Sequence, residues 1–249
     1  MNTLFLVGYG PGDPDLLTIK AYKTIKSAQV ILFDNLIDEK ILELAPRNCI
    51  KQYVGKVPYG KYTAQDEIHK LISYFCSRYR RVVRLKGGDP YLFGRGFEEW
   101  LHAKKLSIAI QYVPGISAMQ GAGLNNIPLT HRGVSNGVWA LTATRQDDKF
   151  VTDLNLAAQS NSTVVIYMGM KKLSEIARIY VMQGKADTPA AIIQSASLIS
   201  QKKAFCRVGD LVKASKVHDL GNPAIIVIGD VVHLQQEAQY ADQPARDVI

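Results

Sequence analysis

The sequence has few cysteines and no paired metal-ligand motif, and both absences exclude classes of protein. Its three cysteines, Cys49, Cys76 and Cys206, are scattered and odd in number. They predict buried free thiols in a reducing compartment rather than a disulfide framework. No Cys-x-x-Cys or His-Glu-x-x-His spacing occurs among these cysteines and the five histidines. We therefore expect no metal site.

Long hydrophobic runs are also missing. No apolar stretch approaches the roughly 20 residues that a membrane-spanning helix needs. The N-terminal segment MNTLFLVGYGPG has only a short apolar run and lacks the basic start of a secretory signal peptide. A soluble, cytoplasmic protein that makes no membrane contact is expected.

Basic residues outnumber acidic ones, which gives a formal net charge of +8 and a pI of about 9.3. This excess fits either a basic surface without a specific ligand or a site for an anion such as nucleic acid or a polycarboxylate. The densest basic run comprises Arg78, Arg80, Arg81, Arg84 and Lys86. It lies where a helix is predicted to end, and cations are favoured there by the helix dipole alone. No nucleic-acid-binding motif is present, so no nucleic-acid partner is expected.

Apolar strand-like runs alternate with amphipathic segments in the first half of the chain. The expected strands are TLFLVG, QVILFD, CIKQYVG, RVVRLKGG and SIAIQYVPG. The clearest helix is TAQDEIHKLISYFCSRY, with Ile68, Leu71, Ile72 and Phe75 on one face and a capping-box-like start at Thr63 and Asp66. Uniformly apolar strands separated by helices predict a largely parallel sheet that is covered on both faces.

A break without periodicity follows at GLNNIPLTHRGVSNG, residues 123–137. It predicts a domain junction, and we divide the chain into an N-terminal α/β domain of residues 1–130 and a C-terminal α/β domain of residues 131–249. Strand-like runs resume in the second half with fewer helices between them, which predicts a mixed sheet with an antiparallel part. These runs are VWALTA, STVVIYMG, TPAAIIQS, KAFCRVG and NPAIIVIGDVV.

Glycines recur where the predicted strands end. The first loop has Gly8 and Gly10 but carries Asp13 where a dinucleotide fingerprint has its third glycine. A carboxylate there repels phosphate, so a nicotinamide-dependent oxidoreductase is disfavoured and a cationic or neutral ligand is favoured. KGGDP, YVPGIS and YMG end further strands, and ligands of open α/β sheets bind outside such strand ends. Asp89 in KGGDP is either a ligand contact or a helix N-cap.

These motifs, in their order and spacing, resemble the tetrapyrrole (corrin/porphyrin) methyltransferase family over about residues 3–234. The resemblance is carried by LVGYGPGDPDLLTIKA, YVGK, VVRLKGGDPYLFGRGFEE, VPGISA, IPLTHRG, YMG, TPAA and NPAIIVIGDVV. RLKGGDP-x-x-FGRG-x-EE is very specific, whereas GxGPGDP is shared across the wider family. Within it the chain is most similar to the stand-alone members that methylate uroporphyrinogen III.

The resemblance implies the tetrapyrrole methylase fold, with two α/β/α domains, a mostly parallel N-terminal sheet and a mixed C-terminal sheet. It implies a homodimer and S-adenosyl-L-methionine as the methyl donor, with S-adenosyl-L-homocysteine released. The implied reaction is C-methylation of uroporphyrinogen III at two neighbouring rings to give precorrin-2, from which sirohaem and cobalamin are made.

Site residues follow from the same resemblance. The donor pocket is implied to comprise Pro11, Gly87, Gly88, Asp89, Leu92, Ser117, Ala118, Met168 and Ala196. Arg95 and Arg132 match positions that contact the tetrapyrrole, whose carboxylates arginine pairs with bidentately. Asp34 and Lys56 match positions with acid–base roles, and Arg95 and Glu98 are rival candidates.

The chain departs from the usual family pattern near several of these loops. Asn35 replaces an arginine, Phe97 replaces a glycine, TAT at 142–144 replaces TGH, and QSAS at 194–197 replaces ENGT. A corrin methyltransferase acting later in cobalamin synthesis therefore stays an alternative. A second class of hypothesis is a binding protein without catalysis, either a donor or tetrapyrrole sensor or a nucleic-acid binder.

Overall fold

The computed structural model describes residues 2–37, 39–55, 64–143 and 152–235. The chain forms two compact units, Met1–Ala118 and Met119–Ile249. This division precedes the boundary expected after residue 130, because the turns before that point pack within the second unit. Asn125, in the 3-10 turn Gly123–Asn125, donates to the Gly121 carbonyl at 2.8 Å and exchanges side-chain hydrogen bonds with Gln201.

The first unit contains a five-stranded parallel sheet in the order β3-β2-β4-β1-β5. The strands are β1 (Thr3–Gly8), β2 (Val30–Phe33), β3 (Ile50–Tyr53), β4 (Arg81–Lys86) and β5 (Ala109–Val113). Each corresponds to one of the predicted apolar runs. All five point the same way, so their carboxyl ends, and the loops that follow, share one edge of the sheet.

Helices cover both faces of this sheet: α1 (Ile19–Ile25), α2 (Glu39–Glu43), α3 (Gln65–Cys76) and α4 (Gly96–Lys105). Successive strand residues face opposite sides. Val83 and Leu85 of β4 therefore join one core with Ala21 and Ile25 of α1. Val82 joins a separate core on the other face with residues of α3 and α4. The doubly covered parallel sheet is the predicted one.

Helix α3 begins one residue later than its sequence pattern suggested. Ala64 is the N-cap, and its backbone N–H donates to Glu67 Oε2 at 3.3 Å, so the capping contact comes from Glu67 and not from Asp66. Thr63 lies outside the described residues. The predicted apolar face packs on the core, with Ile68, Ile72 and Phe75 buried and Leu71 half-buried.

The second unit contains a five-stranded mixed sheet in the order β6-β7-β10-β8-β9. Its strands are β6 (Val138–Thr142), β7 (Thr163–Tyr167), β8 (Pro189–Gln194), β9 (Lys202–Arg207) and β10 (Ala224–Ile228). β6 and β7 are parallel, whereas β10 is antiparallel to β7 and β8, and β8 is antiparallel to β9. The expected antiparallel part is therefore confirmed. Because β10 runs between β7 and β8, those two strands end at the same edge.

Helices α5 (Asp153–Gln159), α6 (Leu173–Met182) and α7 (Leu211–Val217) pack against one face of this sheet. Their core is built from alternate strand residues such as Ile166, Ile192 and Ile226. On the other face, Gly121 approaches so closely that a Cβ there would lie 2.6 Å from Ala196 Cβ. The turns after Met119 thus belong to the second unit.

Within the described residues, no helix is long and apolar enough to cross a membrane. In the same parts of the chain, no group of three or more histidine, cysteine or carboxylate side chains is arranged to hold a metal ion. All three cysteines are free thiols, with Cys49 and Cys76 buried and Cys206 half-buried.

Burial makes these thiols poor nucleophiles. It raises the pKa of Cys76 to about 12 and that of Cys206 to about 11, because the thiolate would lose its hydration. We expect Cys76 to resist alkylation by iodoacetamide at pH 8 in the native protein and to react fully in guanidinium chloride. Peptide mass spectrometry measures both. Rapid labelling of native Cys76 would contradict the packing described for α3.

Candidate active site

Three loops meet at the carboxyl edge of the first sheet, and glycine backbones hold them together. Gly10 and Gly88 form an isolated bridge in which each N–H donates to the other's carbonyl, at 3.3 and 2.8 Å. A Cβ on Gly8 would lie 2.5 Å from the Gly88 carbonyl oxygen and 2.6 Å from the Gly115 nitrogen. Only glycine fits this contact, so the loops after β1, β4 and β5 form one backbone-lined surface.

Asp89 ties two of these loops together. Its Oδ1 accepts from the Tyr91 backbone N–H at 2.8 Å, and its Oδ2 accepts from the Tyr112 hydroxyl at 2.5 Å and the Gly115 N–H at 3.2 Å. The helix N-cap interpretation of Asp89 is wrong, because α4 begins at Gly96 with Arg95 as its cap. Asp89 instead links the end of β4 to β5 and to the loop that follows it.

Tyr112 is held by a ring contact and by a hydrogen bond from its hydroxyl to Asp89. Its ring stacks on Tyr91 with the centroids 4.2 Å apart and the planes 5° from parallel. Burial, followed by the hydrogen bond to Asp89, raises the pKa of Tyr112 well above its usual range. Its hydroxyl therefore stays protonated and remains a donor to the carboxylate.

A cluster of charged side chains lies beneath the same edge. Asp34 follows β2, and its Oδ1 accepts from the Leu36 N–H at 3.2 Å. Its Oδ2 lies 3.4 Å from Arg84 Nη2. Arg84 Nε and Lys86 Nζ both contact Glu99 Oε1, at 3.2 and 3.0 Å. Arg84, Lys86 and Glu99 are buried, whereas Asp34 is partly exposed. Asp34 is thus the outer member of a buried ionic network.

Arg95 and Glu98, both candidates for acid–base work, pair with each other. Arg95 Nε and Nη2 donate to the two carboxylate oxygens at 2.8 and 2.7 Å, and both side chains are exposed. This hydrogen bonding lowers the pKa of Glu98, which makes it a weaker proton acceptor. The loop is strained, because Phe93 and Arg95 have positive φ angles of 56° and 58°. Such strain often accompanies functional sites.

The other donor-pocket candidates of the first unit lie on these same loops. Pro11, Gly87, Gly88, Leu92 and Ala118 are half-buried and Ser117 is buried. Lys56, the second acid–base candidate, lies outside the described residues.

Three candidates belong to the second unit. Met168 follows β7 and Ala196 follows β8, so both lie at the edge where these strands end. Met168 has a φ of 54°, and the neighbours of Ala196, Ser195 and Ser197, have φ angles of 49° and 75°. Arg132 is exposed in the tight turn that the His131–Ser135 bridge closes.

The basic run is not one patch. Arg78 stacks over Tyr74 at 3.9 Å and Arg81 over Phe5 at 4.5 Å, whereas Arg84 and Lys86 are buried. The sequence analysis missed the roles of Arg84, Lys86, Glu99 and Tyr112. A signal was present for the first two, since charges at alternate positions of an apolar strand share one buried face.

The glycine contact gives a direct test of the loop packing. In Gly115→Ala the new Cβ would overlap the Gly88 carbonyl oxygen and lie 2.8 Å from Gly8 Cα. Since backbone atoms cannot rotate away, we expect a loss of roughly 1–3 kcal/mol of stability. Gly123→Ala is the control, because no atom lies within 4 Å of its Cβ position. Thermal melting compares the two variants, and a Gly115→Ala protein as stable as the control would contradict the packing.

Comparison with known proteins agrees with this architecture. Residues 3–212 match the family described as Tetrapyrrole (Corrin/Porphyrin) Methylases. The uroporphyrinogen-III C-methyltransferase of Bacillus subtilis is 37% identical over 96% of this chain and 95% of its own. A siroheme synthase of Chromobacterium violaceum is also 37% identical, but the match covers 96% of this chain and 51% of that protein. The chain thus spans about half the length of that relative.

Among solved structures, the uroporphyrin-III C-methyl transferase of Thermus thermophilus, complexed with S-adenyl homocysteine, superposes with a TM-score of 0.82. It is 35% identical, and the match covers 94% of this chain and 100% of that one. The expected fold, two units with a parallel and a mixed sheet, is therefore confirmed. The chain belongs to the tetrapyrrole (corrin/porphyrin) methylases.

Proposed function

We propose that this protein methylates uroporphyrinogen III at two neighbouring rings to give precorrin-2, with S-adenosylmethionine as the methyl donor. The observation that carries the proposal is the match to the Bacillus subtilis enzyme along nearly the full length of both chains. The family resemblance also supports a homodimer without a nucleic-acid partner. The free, largely buried thiols are compatible with the cytoplasm.

The loops of the first unit fit this donor. They expose glycine backbone, and their charged side chains are three acids, Asp13, Asp15 and Asp89, and one cation, Arg95, which is paired with Glu98. S-adenosylmethionine carries a sulfonium and an ammonium group and no phosphate, so acidic loops suit it better than they suit a nucleotide. When bound, it supplies an electrophilic methyl group. In this unit Pro11, Gly87, Gly88, Leu92, Ser117 and Ala118 would hold it. Met168 and Ala196, in the second unit, are further candidates from the family resemblance alone.

Asp89 contributes through the loops that it joins. Because its carboxylate already accepts from Tyr91, Tyr112 and Gly115, it fixes the loop after β4 against β5 and the loop after β5. We propose that this fixed surface, more than a free carboxylate, determines donor affinity.

The acceptor side needs cations for the substrate carboxylates and a base for the pyrrole proton. Arg95 is exposed, and its pair with Glu98 is the kind of surface ion pair that exchanges at little cost. Arg95 and Arg132 would therefore bind carboxylates, and the net charge of +8 would attract the polyanion. We favour Asp34 over Glu98 as the base, since Arg95 donates to both carboxylate oxygens of Glu98 at 2.8 and 2.7 Å, whereas the contact of Asp34 with Arg84 is longer, at 3.4 Å. Lys56 remains the second candidate.

Substitution of Asp89 tests the donor site. Asp89→Ala removes hydrogen bonds to a charged group, each worth roughly 1.5–3 kcal/mol, so we expect both a lower melting temperature and about tenfold or weaker binding of S-adenosylhomocysteine. Tyr112→Phe keeps the stacked ring and should show a smaller loss of both. Tyr74→Phe, at an exposed position of α3, is the control. Calorimetric titration that finds unchanged affinity in a destabilised Asp89→Ala protein would refute the donor-site assignment.

The activity itself is tested by anaerobic incubation with uroporphyrinogen III and S-adenosylmethionine, followed by mass spectrometry. We expect a product with two added methyl groups, and a strongly reduced rate for Asp34→Asn with donor binding retained. No turnover of uroporphyrinogen III, combined with methylation of an already methylated ring, would favour the later corrin methyltransferase. Donor binding without methyl transfer to any tetrapyrrole would favour a sensor.

A further inference from the structure

Three charged side chains are buried in the first unit without a role in the function proposed above. Arg84, Lys86 and Glu99 are 3%, 6% and 0% exposed. Each buried ion costs several kcal/mol of desolvation, and well-packed apolar residues often stabilise a core as well or better. Stability alone therefore does not account for the network of Arg84, Lys86 and Glu99. The network contacts Asp34 through Arg84.

The guanidinium of Arg84 is held at all three nitrogens. Nε donates to Glu99 Oε1, and Nη1 donates to the carbonyls of Leu85 and Leu32 at 2.7 and 3.4 Å. The remaining nitrogen, Nη2, contacts Asp34 Oδ2. Leu32 is in β2, two residues before Asp34. Arg84 therefore binds both the backbone at the end of β2 and the Asp34 carboxylate that follows it.

Lys86 and Glu99 complete the support. Glu99 Oε1 faces both cations, while its Oε2 has no hydrogen-bond partner among the described residues. The pKa of Lys86 is lowered by burial and by the charge of Arg84, and Glu99 acts in the opposite direction. Glu99 therefore holds two like charges side by side and keeps Arg84 in the orientation that reaches Asp34.

We propose that Arg84, oriented by Glu99 and Lys86, is a positioning residue that fixes the Asp34 carboxylate for proton transfer. The inference rests on the proposed function, in which Asp34 takes the pyrrole proton. One carboxylate oxygen is set by the Leu36 N–H and the other by Arg84, so the plane of the carboxylate is defined from both sides. Lysine at this position has a single ammonium and cannot span Asp34, Glu99 and the backbone carbonyls.

The test compares Arg84→Lys, Asp34→Asn and the double variant. Misplacement of a reacting group by about 1 Å can cost about a hundredfold in rate, so we expect Arg84→Lys to lower kcat by roughly ten- to a hundredfold. KM and the Kd for S-adenosylhomocysteine should stay within about twofold, because neither ligand contact is changed. The Arg84→Lys substitution should cost nothing further when Asp34 is already Asn, since the two residues act as one unit.

Val82→Ala is the matched control. Val82 is fully buried on the same face of β4 but belongs to the apolar core. It should lower the melting temperature without lowering kcat at a temperature where the protein is folded. If Val82→Ala reduced kcat as much as Arg84→Lys does, a general loss of stability would explain both, and the inference would fail.

A crystal structure of Arg84→Lys gives a readout that does not depend on turnover. We expect the Asp34 carboxylate to leave its wild-type orientation, and an unmoved carboxylate would overturn the inference. If the wild-type protein is active but the rate losses of Arg84→Lys and Asp34→Asn add up in the double variant, the inference fails while the proposed function stands. A wild-type protein that fails to methylate uroporphyrinogen III would refute the proposed function and the inference together.

Discussion

The packing of glycine backbone against glycine backbone at Gly8, Gly88 and Gly115 is the contact on which the rest of the candidate site depends. It brings the loops after three adjacent parallel strands so close that no Cβ fits between them. Main-chain groups consequently form the surface where these three loops meet, and side chains lie around it. The hydrogen bonds of Asp89 with Tyr112 and Gly115 then join the loop after β4 to β5 and to the loop after β5. This structural role accounts for an acidic residue at the end of β4.

The same sheet explains how charge enters the core. Residues of β4 alternate between two covered faces, so Arg84 and Lys86 must both point toward α4 once Val83 and Leu85 face α1. Glu99 on α4 contacts both cations, and its one negative charge offsets one of their two positive charges. Asp34 joins this network at its exposed end. Local strand geometry thus connects a buried ionic cluster to the carboxylate that faces the proposed chemistry.

Much of the fold was predictable because most of the strands are largely apolar and several are followed closely by glycine. All ten strands correspond to predicted runs, and the antiparallel part of the second sheet was anticipated from its fewer helices. Details set by single contacts were less accessible. The start of α3 shifted because Glu67 rather than Asp66 bonds the cap residue. The hydrogen bonds between Asn125 and Gln201 join residues far apart in the chain, and local sequence patterns do not reveal such contacts.

The candidate site was predictable as a set of loops but not as a set of interactions. Sequence spacing placed Asp89, Arg95 and Glu98 near one strand end, yet it could not show that Asp89 is engaged by Tyr112 or that Arg95 and Glu98 pair with each other. The contact of Asp89 with Tyr112 depends on strand order, since β5 lies beside β1 and not beside β4, whereas Arg95 and Glu98 are only three residues apart. Arg84 was misread for the same reason: in a run of basic residues it suggests a surface, and only the neighbouring strand and helix reveal a buried contact with Asp34. Charges at alternate positions of an otherwise apolar strand are therefore better read as a buried network facing one helix than as part of a basic patch.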